Sequence, residues 1–115
     1  MLKKRITSEL GNVSPVAVVP AQYSAAELEF IAQNVAAMIT NNGSFNCNAA
    51  KILITSETWS QREQFMSHIE RTLGGTPPRL AYYPGAFDRY QKLVGNRENV
   101  KKIGTPAEKQ LPWTI

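Results

Sequence analysis

A small α/β domain built on a βαβ unit with parallel strands follows from three features of the chain. Val16-Ala17-Val18-Val19 is a continuous apolar run closed by Pro20. Lys51-Ile52-Leu53-Ile54-Thr55 is a second run, rich in β-branched residues. Between them, apolar residues recur at three- and four-residue steps. Strand, helix and strand at this spacing make residues 14–20 and 51–55 adjacent parallel strands. A helix over roughly 24–41 joins them by a right-handed crossover.

The first run reads as a strand buried on both faces, because it has no polar alternation. Ser24-Ala25-Ala26-Glu27 then has the pattern of a capping box. The serine hydroxyl accepts from an N–H of the first turn, and the glutamate reaches back to the serine N–H. Behind it, Leu28, Ile31, Val35, Met38 and Ile39 form one apolar helix face. Asn42-Gly43 supplies the left-handed conformations that stop the helix. After the second strand, Ser60-Gln61-Arg62-Glu63 reads as a second capping box. It opens a helix with Phe65, Met66, Ile69 and Leu73 on its apolar side, ended by Gly74-Gly75 and Pro77-Pro78. Leu80 to Tyr83 reads as a short strand, and Phe87 to Val94 as a helix after Pro84-Gly85. From Asn96 onward Gly104, Pro106 and Pro112 break any period, so residues 96–115 read as an irregular tail of a single domain spanning 1–115.

Composition narrows the function classes. The chain has 115 residues, enough for one modest core. The net charge of +4 comes mostly from Lys3, Lys4, Arg5, Lys101 and Lys102. These read as solvated runs; no aromatic residues interleave them as in a nucleic-acid-binding patch. Cys47 is the one cysteine, which excludes an internal disulfide and a multi-cysteine metal site and fits a reducing cytoplasm. Met1 to Arg5 is basic, but no signal-peptide apolar region follows, and no apolar run is long enough to span a membrane. His68 reads as a residue on the polar side of its helix rather than a metal ligand. Trp59 and Trp113 read as packing residues.

Two residues carry candidate chemistry. Cys47 lies between a helix stop and a strand start, in Asn41-Asn42-Gly43-Ser44-Phe45-Asn46-Cys47-Asn48-Ala49-Ala50. One reading is a buried structural thiol; the other is a nucleophile on an irregular polar turn. Glu9 lies in Ile6-Thr7-Ser8-Glu9-Leu10-Gly11-Asn12-Val13-Ser14-Pro15. It reads as a solvated carboxylate or as a base. Each residue precedes a strand by a few positions, so parallel pairing brings both to one end of the sheet. That end is the amino end, opposite to the carboxyl end where open α/β sheets usually bind ligands.

Glu-Leu-Gly-Asn-Val-Ser-Pro followed by a strand resembles the glutamate motif of the aldehyde dehydrogenase superfamily. Phe-Asn-Cys-Asn-Ala-Ala, followed by a basic residue and a strand, resembles its catalytic-cysteine motif. The interval between Glu9 and Cys47 and the helix within it suit that family. Tyr82-Tyr83-Pro84-Gly85-Ala86 and Leu111-Pro112-Trp113-Thr114 resemble features of a bacterial branch. The chain departs from the common pattern at Asn12 and Val13, where the family has glycine then lysine. It departs again at Gly43-Ser44, where the family has Gly-Gln closer to the cysteine.

The resemblance implies part of an aldehyde dehydrogenase catalytic domain. Cys47 would attack a small-molecule aldehyde, and a hydride would pass to NAD or NADP. Glu9 would activate water to hydrolyse the resulting thioester, which favours water over coenzyme A as acyl acceptor. Leu10 would contact the nicotinamide through its backbone, and the Cys47 N–H would help to hold the oxyanion. No Gly-rich turn follows a strand and no acidic residue is placed for a ribose, so the cofactor-binding domain is expected to lie outside this chain. The chain alone is then expected to be inactive in aldehyde oxidation and to bind no cofactor. Self-association through uncovered surface is a further expectation. The alternative is a free-standing small α/β protein with a binding or structural role, with which Met1 directly before the glutamate motif is compatible.

Overall fold

Both apolar runs form strands, and they pair in parallel. The computed structural model describes residues 3–9 and 11–115. Strand β1 (Ser14–Ala17) leads into helix α1 (Ala25–Thr40), which returns the chain to strand β2 (Ala50–Ile54). Pro15, Val16 and Ala17 stand opposite Ile52, Leu53 and Ile54, with an irregularity between Ser14 and Pro15. One further bond, from the Val18 N–H to the Ile54 carbonyl (3.0 Å), extends the ladder.

The strand is covered on one face, not two as its apolar run predicts. Val16, Val18 and Leu53 pack into the core with α1 and α2 (Arg62–Gly75). Pro15 and Ala17 are exposed, and Val19, Ile52 and Ile54 are 71%, 47% and 51% exposed. The physical reason is the smallness of the sheet: with two strands, both helices gather over one side. A continuous apolar run therefore does not guarantee burial on both sides.

Helix α1 starts as its sequence dictates. The Ser24 hydroxyl accepts from the Glu27 N–H (3.3 Å), and the Glu27 carboxylate accepts from the Ser24 N–H (2.8 Å). Hydrogen bonds from the Ser24 side chain and then its backbone lower the Glu27 pKa below its ordinary 4.5, with slight desolvation opposing. A carboxyl with a lowered folded pKa stabilises the fold above its unfolded pKa and loses that effect as pH falls through the folded value. Urea titrations at pH 7 and pH 3 should therefore show an acid-sensitive contribution that Glu27→Gln removes. Ser24→Ala should cost about 1 kcal/mol at pH 7, the usual effect of losing an N-cap.

The buried stripe of α1 is Leu28, Ala32, Val35 and Ala36, with Ile31 and Ile39 half-buried beside it. Met38 falls off this stripe and is 47% exposed, against expectation. Two alanines at the centre leave room for α2 to pack close, and α2 fills that space with Phe65, Ile69 and Leu73, all fully buried. Each such side chain contributes about 1.5–3 kcal/mol through burial.

The second capping box does not form. Helix α2 begins at Arg62 with no side-chain cap, and Glu63 instead pairs with Arg62 (2.7 Å). Gln61 has a longer reach: its amide accepts from the Tyr23 N–H (2.9 Å) and donates to the Tyr23 carbonyl (2.8 Å). That pair of hydrogen bonds to a distant segment fixes the start of α2 one position later than a serine cap would. Nearby, the buried Trp59 donates its indole N–H to the Ala21 carbonyl (2.8 Å) and packs against Tyr23 and Phe65.

The second half is less regular. Leu80 to Tyr83 makes a single antiparallel bridge, Leu80 to Gln110, rather than a strand. Helix α3 (Ala86–Val94) follows the left-handed Gly85. The expected irregular tail contains a short antiparallel pair, β3 (Lys102–Ile103) with β4 (Trp113–Thr114). This pair docks on the domain: Ile103 and Trp113 enter the core, and the Trp113 indole N–H donates to the Thr76 carbonyl (2.7 Å). No described helix is long and apolar enough to cross a membrane.

Candidate functional site

Parallel pairing of β1 and β2 sets the segments before them side by side. The Ser14 hydroxyl donates to the Cys47 carbonyl (2.6 Å), which ties the entry of β1 to the cysteine turn. Glu9 and Cys47 both line one cleft of about 860 Å³. Leu10, expected to contact a nicotinamide, lies outside the described residues.

The cysteine turn owes its shape to its asparagines. Asn42, Gly43 and Ser44 are all left-handed, with φ of 47°, 64° and 66°. Asparagine and glycine accept that conformation readily, whereas serine is strained in it. Side-chain amides brace the turn: Asn42 donates to Asn46 (2.9 Å), and Asn46 donates to Asn41. Asn42 also donates to the Tyr82 hydroxyl (2.8 Å), which docks the far segment onto the turn.

Cys47 is exposed, so the buried structural thiol is not what forms. Among the described residues its N–H has no backbone acceptor. Lys51 holds the back of the turn, donating to the carbonyls of Asn46 (3.2 Å) and Ala49 (2.8 Å). Partial burial lowers the Lys51 pKa from its ordinary 10.5, and attraction to Cys47 opposes the shift. Glu9 is exposed and makes no hydrogen bond to Cys47 among the described residues.

Beside the motif residues Phe45, Tyr83 and Trp113, the cleft is lined by Arg79, Arg89 and Tyr90, which motif reading did not assign. Phe45 stacks on Tyr83 (5.7 Å, 18°) and meets Tyr82 edge-on (5.1 Å). The Arg89 guanidinium lies over the Tyr83 ring at 5.8 Å. One signal for Arg89 was present in the sequence: Gly85, Ala86, Lys92 and Leu93, its neighbours at helical spacing, include no carboxylate.

The helix starts do not fit a dinucleotide pyrophosphate. Helices α1, α2 and α3 each carry a carboxylate in the first turn, Glu27, Glu63 and Asp88. These carboxylates already complement the helix dipole at each start, where a pyrophosphate would otherwise sit. At α1 the Ser24 hydroxyl also occupies a first-turn N–H.

No protein-family model, curated protein or solved structure matches the chain.

Proposed function

We propose that this chain carries the nucleophile and base of an aldehyde dehydrogenase-type active site. Support comes chiefly from one observation: Glu9 and Cys47, distant in sequence, line the same cleft. In this reading the Cys47 thiolate adds to the aldehyde carbon, and the hemithioacetal so formed would become a thioester by losing its hydride to a dinucleotide held by another module. The Cys47 N–H donates to the oxyanion that develops on the carbonyl oxygen. Glu9 takes a proton from water, the resulting hydroxide attacks the thioester, and the C–S bond breaks to release a carboxylic acid and the thiolate. The overall reaction of an intact enzyme would be oxidation of an aldehyde to a carboxylic acid, with NAD or NADP supplying the hydride acceptor from a module other than this chain.

An activated aryl ester reaches the same thioester by expelling a phenolate, so it tests this chain's share directly. The chain should hydrolyse 4-nitrophenyl acetate slowly. Cys47→Ala should reduce the enzymatic rate to background. Glu9→Gln should slow turnover about 100-fold, the lower range for loss of a general base. The chain alone should not oxidise aldehydes with NAD or NADP, because positioning the acceptor accounts for about 7–11 kcal/mol of such a barrier. Ester hydrolysis that survives Cys47→Ala would remove the proposed nucleophile. Cofactor-dependent oxidation by the chain alone would overturn the assignment of the dinucleotide to another module.

A further inference from the structure

We propose that the cleft beside Cys47 takes an acyl substrate bearing an anionic oxygen group, carboxylate or phosphate, held by Arg79 and Arg89. The word acyl rests on the thioester reading above; the anion site itself does not.

Charge is the first argument. The described charged residues lining the cleft are Lys51, Arg79, Arg89 and Glu9, a balance of three cations to one carboxylate. Among the described residues the ion pairs are Arg62–Glu63, Arg71–Glu29 and Lys101–Glu70, so none of the three cleft cations is neutralised by a neighbouring acid. Lys51 is engaged by two carbonyls, which leaves the two guanidiniums to meet a ligand. A concave surface of one sign concentrates counter-ions, and a guanidinium offers the paired N–H donors that match a carboxylate or phosphate.

Placement is the second argument. Both arginines lie close to the cysteine turn, Arg79 through its Cβ and Arg89 through an aromatic stack. A Cβ built on Gly43 would lie 3.7 Å from the Arg79 Cβ and 3.3 Å from the Phe45 ring, so the base of Arg79 sits against the turn that carries Cys47. Arg89 is held over Tyr83, and Tyr83 is stacked on Phe45, two positions before the cysteine. A ligand whose anion meets these guanidiniums would share its cleft with Cys47 and have the aromatic rings of the same wall beside its apolar body.

The test is an amide-resolved NMR titration of the full chain with benzoate, phenyl phosphate and the neutral benzamide at low salt. At least one anion should bind tenfold or more tightly than benzamide, with shifts centred on residues 43–47 and 79–90. The tighter of the two anions names the group. Arg79→Gln and Arg89→Gln, both at exposed side chains, should each weaken anion binding at least fivefold, and Arg71→Gln, the same charge change outside the cleft, should leave it unchanged. Equal binding of benzamide, or anion binding indifferent to both arginine substitutions, would overturn the inference. Anion binding without ester hydrolysis would remove the nucleophile but keep the site. Hydrolysis without anion preference would do the reverse.

Discussion

Phe65→Ala is expected to destabilise the fold by about 3–5 kcal/mol, the usual cost of emptying an aromatic site in a core. Phe65 is fully buried, and it touches the core from both directions: it packs against Trp59 at 5.4 Å and lies in the cluster with Leu28, Val35 and Ile69. The neighbouring alanines at positions 32 and 36 are too small to refill the space. Small domains have only about 5–15 kcal/mol of net stability. The variant should therefore show a strongly reduced urea midpoint. Phe65→Leu, which keeps most of the volume, should recover most of the loss. An unchanged midpoint in Phe65→Ala would mean that α1 and α2 do not share one core.

The second large effect is expected at Trp113. This residue closes the chain onto the domain, with its ring in the core and its N–H on the Thr76 carbonyl at the end of α2. Trp113→Ala should cost about 3–5 kcal/mol and leave that carbonyl to water. Its further consequence is local. The β3–β4 pair would lose its anchor, and with it the Thr114 hydroxyl that bonds Tyr90 (2.9 Å) on α3. Hydrogen exchange should thus accelerate across residues 86–115 more than across β1, α1 and β2. Uniform acceleration would show instead that the two halves unfold together.

The βαβ half was legible because its signals are local. An apolar run, a serine three positions before a glutamate, and Asn42-Gly43 each act within a few residues, and the structure contains all of them. Ser60-Gln61-Arg62-Glu63 has the same pattern and failed because Gln61 found a better partner in Tyr23, a competition no local pattern reveals. Strands β3 and β4 have two residues each, too short for any period, and Trp113 is buried by contacts to α2 that sequence spacing does not encode. The site divides the same way. Glu9 and Cys47 could be placed at one end of the sheet from strand order alone. Arg79 and Arg89 could not, because Arg89 sits over Tyr83 stacked on Phe45 and Arg79 lies against Gly43, both long-range contacts.

The central claim is that Cys47 is acylated and Glu9 releases the acyl group. Mass spectrometry of the chain after brief exposure to 4-nitrophenyl acetate tests it most directly. In Glu9→Gln, acetyl should accumulate on Cys47, because formation of the thioester needs only the thiolate while its hydrolysis needs the base. In the unchanged chain the same adduct should be sparse, and in Cys47→Ala it should vanish. Equal acetyl-Cys47 in the unchanged chain and in Glu9→Gln would remove the base. Acetyl found on Lys51 or other lysines, with none on Cys47, would contradict the account.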